Sequence, residues 1–345
     1  MNRYRNILVG LCWLTAGSWV ASPCAAQPRS GGALHYHVES KPAFKLNATL
    51  TASLEPFEGR LYFPRPREAP NQRDVVVTLR LKGDRSAESP KTGVDASRLR
   101  HPLLYFEIAN KPTTVEAHVQ ATLYTRRLLS GKPSSAVSPL SAEERQLYTD
   151  MRGLSMAHTP ERLRSWIDTN NLRRAASESD VQFAYRVHEF LRVHFKYGHP
   201  ASTEWAVDAV AKSGQDDCFG LSRVFVAVLR SSGIPARALP GRMIDDGGTH
   251  VKAEFHAEGV GWIPVEIAGG VTDKHSPLTN YFGQDHADML YMPYGSDYSF
   301  PGPKDAVNVG SCPGFAVIRS DGKFEFPTGT WKARKAPVRG TSASK

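Results

Sequence analysis

Residues 213–237 read SGQDDCFGLSRVFVAVLRSSGIPAR. Asp216 and Asp217 are residues that cap a helix, and Gly233 followed by Pro235 is a helix stop, so the spacing predicts a helix over Asp217–Ser232. Cys218, Leu221, Phe225, Val228 and Leu229 recur three or four apart and share one stripe. Such a stripe packs into a core, which puts the thiol on the buried side of the first turn, where unpaired backbone N–H groups collect. Two readings follow. A cysteine on this stripe packs as a small apolar side chain. At a helix amino terminus, however, the helix field favours a thiolate and the N–H groups can receive a developing oxyanion, while the adjacent Asp217 acts against the thiolate.

A thiol nucleophile needs a base, and residues 249–270, THVKAEFHAEGVGWIPVEIAGG, contain one. The stretch alternates as two strands about a glycine-containing turn. Val251, Ala253 and Phe255 fall on one face, and His250, Lys252, Glu254 and His256 on the other. With Ala257–Gly259 as the loop, His250 pairs directly with Glu266. A carboxylate there holds one imidazole nitrogen while the other is presented to a third group, for which Cys218 is the candidate.

The chain has 345 residues, enough for two domains, and 41% apolar with 22% charged residues is a globular composition with no internal apolar run long enough to span a membrane. Residues 1–26 place Arg3 and Arg5 ahead of an apolar Ile7–Val20 segment and small residues up to Ala26, the layout of a cleaved signal peptide, and so predict a periplasmic or secreted protein. Cleavage removes Cys12 and Cys24 and leaves Cys218 and Cys312, too few for a disulfide framework. From Gly31 to Arg127, runs such as DVVVTLRLKG and VEAHVQATLYT between Pro, Gly and Asn predict an all-β sandwich domain over 31–130, followed by a Ser- and Pro-rich linker at Ser130–Ser141. Helices are predicted from Thr159-Pro160-Glu161 onward and within Ser179–Tyr197. The tail 331–345, WKARKAPVRGTSASK, has five basic residues and little to bury, and is expected to be disordered. The formal net charge is +9, but the basic residues are dispersed and form no RNA-binding signature, so no nucleic-acid partner is expected and contact with an anionic surface suits the charge better.

The nucleophile-type helix ending in GIPAR, the strand pair HVKAEFHAEGVGWIPVEIA with its Trp-x-Pro-x-acid ending, and NYFGQDHADMLYMPYGSDYSF downstream together resemble the transglutaminase-like superfamily over about Ser179–Phe300. The resemblance implies an α+β fold: a papain-like transglutaminase core over 150–329, its cysteine-bearing helix packed on an antiparallel sheet, with the β-sandwich as accessory domain. It implies Cys218, His250 and Glu266 as catalytic residues, with Glu266 standing where the family usually has Asp and Lys252 where it often has an aromatic. The chemistry implied is an acyl-thioester on Cys218, formed from a peptide or protein substrate and passed to water or an amine. Gln215, Trp205 and Tyr197 are the side-chain candidates for oxyanion donor. The alternative is a catalytically inactive transglutaminase-like binding or adaptor protein of the cell envelope. No cofactor and no metal is expected: His256 and Glu254 lack a third ligand of suitable spacing, and Asp285, His286 and Asp288 lack the alternating run of a calcium loop and read as surface loop. Cys312, in GSCPGF, has no base nearby and reads as a free, poorly reactive thiol.

Overall fold

The computed structural model describes residues 35–82, 89–131, 137–153, 159–198, 206–293 and 297–338; the expected signal peptide and Trp205 lie outside them. In the amino-terminal half, β1 (Tyr36–Pro64), β2 (Gln72–Lys82), β3 (Lys91–Val94) and β4 (Pro102–Ser130) follow one another. Strict alternation makes them strands. Leu46, Ala48, Leu50 and Ala52 of β1 and Val115, Ala117, Val119 and Ala121 of β4 are buried, and the residues between them face outward. β1 and β4 pair antiparallel along their length, with irregularities at Pro42/Phe44 and around Leu54, Phe57 and Glu58. Bulges bend a strand, and side chains from both sides of these meet in one core that holds Leu46 and Leu50 together with Leu61, Phe63 and Phe106. The strands expected to form the β-sandwich belong, in the structure, to one hydrogen-bonded sheet.

After β4 come α1 (Ala142–Thr149), α2 (Pro160–Thr169), α3 (Asp180–His194), β5 (Lys196–Tyr197), α4 (Val207–Ser213), β6 (Gln215–Asp216) and α5 (Cys218–Ser231). Ser179 and Gln182 cap α3 reciprocally, each side chain binding the other's backbone N–H. α5 is buried all round rather than along one stripe; Val224, Val226 and Ala227 are as enclosed as Leu221 and Phe225, and even Arg223 and Arg230 are buried. Arg230 can be buried because its Nε donates to the Ala236 carbonyl at 2.8 Å.

Next are β7 (Ala236–Met243), β8 (Thr249–Ala257), β9 (Gly261–Val265), α6 (Ile267–Thr272), β10 (Gln284–Asp285) and β11 (Met289–Tyr291). A four-stranded antiparallel sheet in the order β11-β7-β8-β9 results, and α5 packs on it through a core that includes Phe225, Ala253, Phe255 and Ile263. The chain ends with β12 (Tyr298–Phe300), β13 (Val307–Val309), β14 (Ala316–Arg319), β15 (Phe324–Glu325) and β16 (Thr330–Ala336).

Several late strands return to the first sheet: β14 and β16 pair with β1, and β10 pairs with β4. In the other direction, Tyr36, Val38 and Leu128 pack against the helical core. The composition does change near residue 130, yet all the described residues form one compact unit. The start of the tail differs from expectation as well. Residues 330–336 form a strand because Trp331 and Ala333 turn toward the core, Lys332 and Arg334 stay exposed, and the edge of β1 supplies backbone partners.

Candidate active site

Cys218 is the first residue of α5, and the residue before it is the cap. Asp217 accepts from the Phe219 N–H at 2.8 Å and the Gly220 N–H at 3.3 Å, and its carbonyl takes the Leu221 N–H. Two amides that an oxyanion was expected to use are thus committed to the cap; none of these bonds engages the Cys218 N–H. Asp216, buried just before the cap, accepts from the Asp217 N–H at 2.7 Å, and burial pushes its carboxyl up. It fills the space beside Gly220, where a Cβ would lie 2.0 Å from a carboxylate oxygen.

Cys218 packs in a small apolar cluster with Ala238, Val251 and Ala268 and is 8% exposed. Two polar side chains lie beside the thiol, His250 and Tyr197. Tyr197 is delivered by the parallel pairing of β5 with β6, which sets it opposite Asp216, and it is 47% exposed. Burial and the nearby Cys218 and Asp217 raise the Tyr197 phenol, so it stays a hydroxyl.

His250 Nε2 lies 2.9 Å from Glu266 Oε2, leaving Nδ1 for the sulfur. Burial alone would pull this imidazole down. Hydrogen bonds to Cys218 and Glu266 and their negative charge outweigh it and hold His250 up at about 10. Burial pushes Glu266 the other way, toward the neutral acid, but the bond to His250 and the charges of His250 and Lys252 prevail and lower it. Glu266 is also the cap of α6: Oε1 accepts from the Gly269 N–H at 3.2 Å.

The pair forms in a different register from the one expected. Ala257 pairs with Gly261 and Ala253 with Val265, a two-residue shift, because Glu258–Val260 make the turn and Gly259 and Gly261 both have positive φ, 71° and 91°. Glu266 is therefore reached diagonally, from the point where the chain leaves β9 for α6.

Among the remaining residues of interest, Glu254 is buried between Arg126 Nη1 at 2.9 Å and Arg237 Nε at 2.7 Å, and Arg126 also bonds the Trp262 carbonyl. His256 is buried edge-on to Trp262. Asp285, expected on a surface loop, is buried and accepts from the Tyr291 hydroxyl at 2.7 Å; only His286 of that trio is fully exposed. Cys312 is buried and donates to the Gly314 carbonyl, and burial pushes its thiol up to about 12. Among the described residues no group of three or more His, Cys, Asp or Glu side chains is placed to hold a metal ion.

Sequence reasoning gave no role to three supports of this site. Lys252 is buried with its ammonium 2.5 Å from Asp288, 3.8 Å from Asp285 and 4.0 Å from Glu266 Oε2. Gly269 leaves room for Glu266: a Cβ there would lie 2.8 Å from the Glu266 Cγ. Gly270 does the same for His188, whose Nε2 would be 2.4 Å from such a Cβ; burial pulls that imidazole down to about 3, and it stacks on Phe282 as a neutral ring. The glycine doublet three and four residues after Glu266 was the available signal.

Residues 169–267, which contain Cys218, His250 and Glu266, match the transglutaminase-like superfamily. They form a transglutaminase-like core. Beyond that core, the chain aligns over 88% of its length with 94% of a candidate cysteine protease from Cytophaga hutchinsonii, at TM-score 0.54 and 9% identity, which is a likeness of fold. It also aligns over 67% of its length with 90% of the periplasmic domain of TgpA from Pseudomonas aeruginosa, at TM-score 0.36 and 14% identity. No curated protein matches the chain. In the transglutaminase-like core the cysteine sits at one end of α5, and a cavity of about 540 Å³ lined by Arg164, Asp168, Arg173 and Ser231 lies at the other. Thirteen residues of helix put these about 20 Å apart, so that cavity is not the thiol's cleft.

Proposed function

We propose that the chain is a secreted thiol enzyme that forms an acyl-thioester on Cys218 from a peptide or amide substrate and passes the acyl group to water or an amine. One observation carries the reading: His250 sits beside the Cys218 thiol and is hydrogen-bonded through Nε2 to Glu266, at the amino end of a buried helix. A His250 held as imidazolium favours the thiolate beside it. The sulfur attacks the amide carbonyl carbon, and the Cys218 N–H with the Tyr197 hydroxyl receives the oxyanion. As the C–N bond breaks, His250 gives its proton to the departing amine. It then takes a proton from the incoming water or amine as that group attacks the thioester and the thiolate leaves. Glu266 keeps the imidazole oriented throughout. Tyr197 is favoured over Gln215 as donor because its hydroxyl lies beside the thiol.

The test is labelling of the full chain with an amide-linked epoxide, located by peptide mass spectrometry. The adduct is expected on Cys218 and not on Cys312, and His250→Ala is expected to slow it by about 10²–10⁴. Wild-type labelling no faster than that of His250→Ala would replace this reading with the binding or adaptor one.

A further inference from the structure

We infer that Lys252 is a positioning residue of this site: its buried ammonium, held by Asp288, keeps the Glu266 carboxylate ionised and aimed at His250. The inference rests on the proposed reading of the site and extends it to a residue outside the Cys-His-acid set. Its basis is geometric. The oxygen of Glu266 that lies 4.0 Å from Lys252 Nζ is Oε2, the same atom that binds His250 Nε2 at 2.9 Å. Lys252 sits two residues along β8 from His250, on the same face, so the strand delivers base and cation to one carboxylate.

The groups facing this carboxylate come from every element around it. His250 and Lys252 face it from β8, the Gly269 N–H from α6, and the neutral ring of His188 from α3. Asp285 and Asp288 face Lys252, and Tyr291 donates to Asp285. Cys218 is faced by His250, by Tyr197 from β5, and by Asp217 before α5. Lys252 is thus the cation that sits among three carboxylates, Glu266, Asp285 and Asp288. Without it, burial drives Glu266 toward the protonated acid, the imidazolium loses its support, and the thiolate is harder to form at low pH.

A merely structural Lys252 would matter chiefly through its 2.5 Å ion pair with Asp288, the nearest of its carboxylates. Two variants that both break this pair separate the alternatives. Lys252→Met removes the cation from Glu266, whereas Asp288→Asn leaves the cation there with one competing anion fewer. The measurement is the rate of Cys218 alkylation by iodoacetamide against pH in the full chain, with the adduct assigned by peptide mass spectrometry. Lys252→Met is expected to move the acid limb up by about one pH unit or more, the size of effect an opposite charge has at this distance. Asp288→Asn is expected to move it down. Equal upward shifts in both variants, or an unmoved limb in Lys252→Met, overturn the inference. If Lys252→Met does not fold, the half-exposed Asp288→Asn decides alone, and an upward or unmoved limb overturns it. This titration needs no substrate: absence of an acyl-enzyme with a normal titration counts against the proposed reaction, not against Lys252.

Discussion

Glu266 Oε1 caps α6 through the Gly269 N–H while Oε2 holds His250, so one carboxylate serves two partners, one on α6 and one on β8. The longer arm of glutamate is what spans them, and Gly269 leaves room for it. Glu266→Asp is therefore expected to keep the cap, for which aspartate is the better residue, and to lose contact with the imidazole, lowering kcat/KM by about 10² with little change in Tm. Glu266→Gln keeps the length and removes the charge, and a drop of about 10⁴ is expected. The pH dependence has a definite sign. With its folded value raised from the ordinary 6.5 to about 10, the imidazolium persists through neutral pH and is lost as pH rises through about 10, while the stability it contributes is full below 6.5 and falls away over the same rise. The alkaline limb of activity is accordingly expected near 10 in the wild type and closer to 6.5 in Glu266→Gln, measured as a pH profile of amide hydrolysis. A limb that stays near 10 in Glu266→Gln would show that another group supports His250; Glu254 is not available for this, since two arginines hold it.

At the scale of the element, the first turn of α5 sets two opposed effects against each other at Gly220. Replacing a helical glycine by alanine ordinarily stabilises by about 1 kcal/mol. Here the added Cβ would meet the Asp216 carboxylate at 2.0 Å and the Asp216 Cβ at 2.7 Å, and Asp216 is buried and bound to the amide of the cap residue. Displacing it outweighs the gain in propensity. Gly220→Ala is expected to destabilise by about 1–3 kcal/mol in urea unfolding, as overpacking does, and to slow Cys218 alkylation because the cap moves with Asp216. Unchanged or increased stability would mean that Asp216 swings away freely.

In the whole molecule, the amino-terminal sheet reaches into the hairpin that carries His250. Arg126 belongs to β4, yet its guanidinium is buried against Glu254 of β8, and β10 pairs with β4 at the same place. Removing Arg126 leaves Glu254 with Arg237 as its remaining partner but strips one buried carboxylate oxygen and the Trp262 carbonyl of their donor, at a cost of about 1–3 kcal/mol. Arg126→Met is expected to lower stability by that amount while preserving a single cooperative unfolding transition, followed by circular dichroism and tryptophan fluorescence in parallel. Two separated transitions would show that the sheet and the transglutaminase-like core fold as independent domains, as their compositions suggest.

What could be read from sequence was what depends on neighbours along the chain. The predicted helix Asp217–Ser232 and the observed Cys218–Ser231 agree because caps and stops are local, and the faces of Thr249–Ala257 follow from backbone alternation. His250 and Glu266 were legible as partners because the hairpin that joins them is short. Their register was not, since it turned on which three residues took the turn and on two glycines with positive φ. The tertiary structure alone decided the rest. Lys252 reads only as a charge where the family often has an aromatic, and Asp285 as part of a surface loop, until the two are seen beside each other, and the basic segment after Thr330 reads as a loose tail until β1 offers it an edge. Burial of a charge and completion of a sheet depend on which distant residues meet, and in a chain whose last strands pair with its first, that is settled only by the folded molecule.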